Sequence, residues 1–176
     1  MTLPGSMRLL RSRSGRDRCC DTGPINYLIL IGAVDVLSPL FDRVVVPRTV
    51  VAELRDARTP AAVRDWIAQP PAWLNIAADP PRDETLNRLD PGERAAINLA
   101  CLLHATRLLI DDSDGRAEAE RRGLKVTGTL GVLASAYRAG LVDFDSTVTR
   151  LLATSFYVSP RLLATARRLL FPGGRS

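Results

Sequence analysis

Apolar and polar positions alternate in blocks along the chain, and the blocks predict strands and helices in turn. Residues 43–47, RVVVP, form a β-branched run closed by proline and predict a strand. Residues 48–57, RTVVAELRDA, place Val50, Val51 and Leu54 on one helical face. Residues 59–69 predict a helix capped by Thr59 with Pro60 at its start, and WLNIAA, 73–78, predicts an edge strand. Residues 90–105, DPGERAAINLACLLHA, carry Ala96, Ile97, Ala100 and Leu103 or His104 at helical spacing. RLLI, 107–110, predicts a buried strand. A charged helix over 114–123 ends at Gly123, LKVTG at 124–128 predicts another strand, and a helix runs from 129 to Gly140. Residues 143–170 read as two helices, the second opened by Ser159 and Pro160. Upstream, RCC at 18–20 predicts a short strand, followed by one helix over 22–37 with Thr22 as N-cap and Pro24 in its first turn.

Short apolar strands alternating with helices imply an α/β fold, a parallel sheet covered on both faces. Ligands of such sheets bind beyond the carboxyl ends of the strands. The acids at those places are Asp21 after RCC, Asp111 and Asp112 after RLLI, Glu53 on the helix after RVVVP, and Glu93 in the first turn of the 90–105 helix. Carboxylates about 4 Å apart repel by roughly 4 kcal/mol at an effective dielectric near 20. A proton or a divalent cation relieves that repulsion, and oxygen-only donors favour Mg²⁺ or Mn²⁺ over zinc. Each acid also has a purely structural role open to it. Asp90 and Glu93 fit a capping box, Asp114 fits the cap of the charged helix, and Glu53 beside Arg55 fits a solvated face.

Composition narrows the chemistry. His104 is the single histidine and looks placed on a helix flank, so Ser-His-Asp, Cys-His and multi-His zinc schemes lose their basis. The three cysteines suggest no disulfide framework. With 176 residues and 46% hydrophobic content, one domain is expected, and no stretch has the length of a membrane span or the pattern of a signal peptide. A cytoplasmic location is expected. Of the net charge of +5, residues 1–18 supply +4, from five arginines and one aspartate. They read as a disordered extension, or a start codon placed too far upstream, ahead of a single domain over 19–176.

CDTGPINYLILIGAVDVL, VVVPRTVVAEL, LDPGERAAINLA, LLIDDSDGR and VTGTLGVL together resemble, in order and spacing, successive segments of PIN-domain proteins. The resemblance is to a bacterial and archaeal DUF3368-like, toxin-like branch and covers about residues 19–170. It implies a three-layer α/β/α PIN-like fold with a central parallel sheet. It also implies a ribonuclease that uses Mg²⁺ or Mn²⁺, often the toxin of a type II toxin–antitoxin pair, dimeric and partnered by a small antitoxin. Carried over by motif, the catalytic acids are Asp21, Glu53, Glu93 and Asp112, and the metal ligands Asp21, Glu93, Asp111 and Asp112, with Asp112 preferred to Asp111. Glu93 stands where the family commonly has Asp, and Gly23 where it commonly has a hydroxyl residue. Thr22, Arg116 and Thr127 are candidates for substrate contact. For Arg116 the alternative is pairing with the acids, and for Thr127 and Thr129 it is helix capping. The competing reading is a catalytically inactive PIN-like module that binds nucleic acid or protein. An acidic phosphotransferase is disfavoured, because no Asp-x-Asp follows the first strand and no glycine-rich phosphate loop occurs.

Overall fold

The structure, a computed structural model, describes residues 17–172. The basic segment expected to be disordered lies outside these residues except for its last two, Asp17 and Arg18, which belong to the first strand. Five strands form one fully parallel sheet: β1 (Asp17–Cys20), β2 (Arg43–Pro47), β3 (Leu74–Ala77), β4 (Arg107–Leu109) and β5 (Val126–Thr127). Their order is β3-β2-β1-β4-β5, so the expected edge strand is at an edge. The order reverses direction between β1 and β4. Cys20 is paired with Leu109 there, and the Asp21 N–H continues the ladder to the Leu109 carbonyl at 2.9 Å. That reversal opens a crevice beyond the carboxyl ends of β1 and β4.

The helices are α1 (Thr22–Leu30), α2 (Leu37–Leu40), α3 (Arg48–Leu54), α4 (Ala61–Ala68), α5 (Pro91–Leu102), α6 (Ser113–Arg121), α7 (Thr129–Arg138), α8 (Phe144–Leu152) and α9 (Pro160–Leu170). They cover both sheet faces, because strand side chains alternate between two cores. Cys20, Val44, Val46 and Leu109 face one core with Ile25, Leu28, Leu133 and Phe144. Cys19, Val45, Leu108 and Ile110 face the other with Ala96, Ile97, Ala100 and Ala119. This is the α/β/α arrangement expected from the sequence.

Several local expectations need correction. The helix expected over 22–37 breaks after Leu30. Gly32 takes a positive φ of 66°, and the chain restarts as a 3₁₀ turn and the short α2. Thr59 caps nothing: Pro60 is the N-cap of α4, and the Thr59 hydroxyl donates to the Glu53 carbonyl at 2.9 Å. His104 lies past the end of α5, exposed and at φ 49°, not on a helix flank. The buried Glu118 on α6 is clasped by Arg88, Arg121 and Arg122, and Arg122 also holds Asp83, tying α6 to the segment before α5. Among the described residues, no helix is long and apolar enough to cross a membrane.

Candidate metal centre at the carboxyl edge of the sheet

Asp21 directly follows β1 at the N-terminus of α1 and is 6% exposed. Its Oδ1 is buried with no hydrogen-bond partner. An unsatisfied carboxylate oxygen is costly in an apolar setting. The group responds by holding its proton: burial pushes the Asp21 carboxyl from 3.8 up to about 7. The charges of Glu53 and Asp111 push the same way, against the pull of the Thr22 and Gly23 backbone N–H groups.

Asp111 approaches from the neighbouring strand. A Cβ built on Gly23 would lie 3.4 Å from Asp111 Oδ2 and 3.9 Å from Asp21 Oδ2, so the two carboxylates flank this one glycine. The residue that replaces the family's usual hydroxyl thus leaves the space between them open. Asp111 is oriented by Thr129, whose N–H donates to Oδ1 and whose hydroxyl donates to Oδ2, both at 2.7 Å. Burial raises the Asp111 carboxyl; Thr129 and the Arg116 guanidinium oppose that rise. A Cβ on Gly128 would come within 2.8 Å of Asp111 Oδ1 and 3.0 Å of Arg116 Nη1, so a side chain here would push against the carboxylate that Thr129 holds.

Glu53 reaches the edge from α3. Its Oε1 accepts the Gly92 N–H at 2.7 Å at the start of α5, and its Oε2 accepts the Thr22 hydroxyl. The α5 N-terminus suits a carboxylate by dipole as well as by hydrogen bond. A Cβ on Gly92 would overlap the Glu53 carboxylate, with Cδ and Oε1 each at 2.8 Å. Glu93, the next residue, is half-buried and its Oε2 accepts the Asp90 N–H at 3.2 Å, so the capping box is present. It is nonetheless pushed up to about 7, first by burial and then by the charges of Asp112 and Asp21.

The structure therefore brings Asp21, Glu53, Glu93, Asp111 and Asp112 to one edge. Asp112 and Asp111 divide the roles that the sequence left open. Strand alternation sends Ile110 into one core and turns Asp111 to the Asp21 side. Asp112 is the N-cap of α6, with Oδ1 accepting from Asp114 N at 2.8 Å and Gly115 N at 3.0 Å. The cap expected at Asp114 is therefore at Asp112, and Asp114 sits in the first helical turn. Among the described residues, no three acidic, histidine or cysteine side chains are close enough, as they stand, to ligate one ion.

The substrate candidates fare differently. The Thr22 side chain is not an N-cap; its hydroxyl serves Glu53. Thr127 is not a cap either: its hydroxyl accepts from Arg107 Nη1 at 2.5 Å and donates to the Val126 carbonyl at 2.9 Å. Gly128 is the N-cap of α7, and Thr129 holds Asp111 instead of capping. Arg116 Nη1 donates to the Ile110 carbonyl at 3.2 Å, and its positive charge acts on Asp111. Sequence reasoning missed the role of Gly92 and Gly128. Gly92 stands beside Glu93 in the first turn of α5, a juxtaposition that could have found it, whereas nothing acidic adjoins Gly128 in the sequence.

No curated protein matches the sequence significantly. Among solved structures, the chain is similar to a PilT N-terminus domain protein from the hyperthermophilic archaeon Sulfolobus solfataricus P2. The two are 14% identical with a TM-score of 0.46, and the match covers 81% of this chain and 99% of that one. The DUF3368 family model, described as a PIN domain, matches residues 18–171 and so runs from β1 through α9. Every element that carries one of the five acids lies inside that match, and the chain belongs to the PIN-domain family.

Proposed function

We propose that this chain is a nuclease that uses a divalent cation, Mg²⁺ or Mn²⁺, to hydrolyse phosphodiester bonds in RNA. PIN domains are generally nucleases and typically use divalent metal ions. The observation that carries the reading is Asp21: a buried carboxylate with one unpartnered oxygen, crowded by Glu53 and Asp111 and raised to about 7. A buried cluster of this kind is relieved by a hard cation, and its donors are all oxygen, so the residues present fit the group.

Asp21 and Asp111 would hold the ion, with Glu93 and Asp112 as further candidate ligands. The ion would supply charge neutralisation on the phosphodiester and acidify a bound water. Glu53 is committed to Gly92 N–H and Thr22 Oγ1, and its negative charge adds to the demand for a cation at Asp21. Glu93, raised to about 7, is matched to accept a proton from an attacking water near neutral pH. Arg116, half-buried beside Asp111, offers positive charge to a phosphate at the rim.

The test is cleavage of a labelled single-stranded RNA by the purified chain. Activity should need Mg²⁺ or Mn²⁺, stop with chelator, and fall at least a hundredfold in Asp21→Asn and Asp111→Asn. Metal-independent cleavage, or cleavage indifferent to both changes, removes the proposed site. A role as the toxin of a type II pair, dimeric and silenced by a small antitoxin, rests on the family resemblance. Growth arrest on expression, relieved by the product of an adjacent small gene, tests it. The second reading, an inactive module that binds RNA or protein, draws on the absence of three converging ligands among the described residues. It expects RNA to raise Tm with no turnover and no metal affinity.

A further inference from the structure

Residues 153–159 join α8 to α9, and their backbone is held in place. The Thr154 hydroxyl donates to the Leu151 carbonyl at 2.6 Å and accepts the Phe156 N–H at 3.1 Å. Ser155 Oγ lies 3.3 Å from the Tyr27 hydroxyl, and the Phe156 ring packs edge-on against Tyr27 with centroids 4.9 Å apart. The next residue, Tyr157, is 82% exposed. Among the described residues its side chain has no hydrogen-bond or ring partner. A fixed loop therefore presents a bare ring. That ring lines a groove of about 780 Å³ that adjoins the acidic edge at Asp111 and Arg116 and follows α7. The 10-residue α7 is roughly 15 Å long; Thr129, its first residue, holds Asp111, and Arg138, its last, also lines the groove. Arg18, Arg107, Arg116 and Arg138 line it together with one carboxylate, Asp111. Of its other two aromatic residues, Phe41 has the Arg18 guanidinium 5.4 Å from its ring centre, and Phe156 is engaged by Tyr27. Among the described residues, Tyr157 is the lining ring left without such a partner.

Positive charge alone admits any polyanion. A flat, solvent-facing ring on a fixed backbone, with guanidinium groups along the same groove, is the combination that single-stranded nucleic acid uses: a base stacks on the ring and the backbone is neutralised beside it. A strand whose scissile phosphate lies at Asp111 continues past the acids, and this groove is a cationic surface that adjoins them there. We infer that Tyr157 is a stacking platform for one unpaired base of the RNA, at a fixed register from the scissile bond, with Arg138 neutralising a neighbouring phosphate. Tyr157 is a positioning residue: it sets which nucleotide is held and leaves the chemistry to the carboxylates. A base held there puts a sequence or structure preference at that one register, because the base must be free of a pairing partner. The inference rests on the nuclease reading for the identity of the strand, and its test is arranged so that the two can fail separately.

The experiment is binding of a fluorescein-labelled single-stranded RNA to the full chain in chelator, read by anisotropy, so that neither metal nor turnover enters. Tyr157→Ala should weaken binding about tenfold, and Tyr157→Phe should restore it, because the ring and not the hydroxyl carries the contact. The salt dependence should be unchanged in Tyr157→Ala, whereas Arg138→Gln should lower the slope of log affinity against log salt by roughly 0.7. Leu152→Ala, at an exposed leucine outside the groove, should bind as the parent does. An abasic nucleotide moved along the RNA should erase the difference between parent and Tyr157→Ala at one position only. In Mn²⁺, Tyr157→Ala should raise KM and leave kcat. Equal binding by parent and Tyr157→Ala overturns the inference, as do a loss shared by Tyr157→Phe, an Arg138→Gln slope equal to the parent's, and an abasic scan with no special position. So does a parent that binds no RNA but binds an acidic helical peptide through Tyr157, which gives the groove to a protein. RNA bound with the expected variant pattern but never cleaved upholds the platform and removes the nuclease; metal-dependent cleavage with Kd and KM indifferent to Tyr157→Ala does the opposite.

Discussion

Replacing Asp21 with asparagine should stabilise the metal-free protein while abolishing its function. In the folded chain the Asp21 carboxyl is raised from 3.8 to about 7, chiefly by burial. A raised carboxyl contributes most favourably below about 4, where it is protonated in both states. That contribution is lost as pH climbs through about 7, because the folded state must ionise a buried group that the unfolded chain ionises freely. The full penalty at about pH 8 is ~4 kcal/mol, from 1.36 kcal/mol per pH unit of displacement. Asparagine keeps the shape and removes the charge. Its amide remains short of partners in the same place, at roughly 1–2 kcal/mol. The net expectation is a gain of about 2–3 kcal/mol at about pH 8, or roughly 5–10 °C in Tm for a chain of this size. Thermal unfolding of both proteins in chelator, at about pH 8 and about pH 5, measures it. The difference should shrink or reverse at the lower pH. Millimolar Mn²⁺ at the higher pH should raise the Tm of the parent and leave Asp21→Asn nearly unmoved. A variant equal to or less stable than the parent at about pH 8, or a difference independent of pH, refutes the assignment of strain to this carboxylate.

Gly92→Ala should keep the fold, by circular dichroism, and lower RNA cleavage at least tenfold, because the new Cβ displaces the Glu53 carboxylate from the Gly92 N–H. Asp112→Ser preserves an N-cap for α6 while deleting the carboxylate, so it should lower stability by less than about 1 kcal/mol. Cleavage should fall less in Asp112→Ser than in Asp111→Asn; the reverse order would return the principal ligand role to Asp112. Arg121 and Arg122 hold the Glu118 carboxyl at about 2, below its ordinary 4.5. Its contribution is complete above about 4.5 and is lost as pH falls toward about 2, so Glu118→Gln should lower Tm at neutral pH by an amount that shrinks through that window, as calorimetry would record.

The sheet was legible because its strands are short apolar runs bounded by proline, glycine or acids, and because α/β order restricts the topology. RVVVP gave β2 its bounds, and Ser159-Pro160 marked the start of α9. The placement of acids at carboxyl strand ends followed from the same rule. What stayed illegible was set by tertiary contact. Asp111 and Asp112 are adjacent, identical and equally near a strand end; the facing of Ile110 into the core turned one toward Thr129 and left the other to cap α6. Thr22 looked like a cap, and only the arrival of Glu53 from α3 gave its hydroxyl a different partner. The break after Leu30 was hidden inside an apolar run, with Gly32 its sole mark.

The proposed nuclease needs oxygen donors from separate stretches of chain to share one hard cation beside Asp21 and Asp111. Anomalous scattering from crystals grown with Mn²⁺ measures that directly. A manganese peak bounded by the carboxylates of Asp21 and Asp111, absent from Asp21→Asn crystals grown alongside, is the expected result. A crevice without a peak at saturating Mn²⁺, or a peak that persists unchanged in Asp21→Asn, would contradict it.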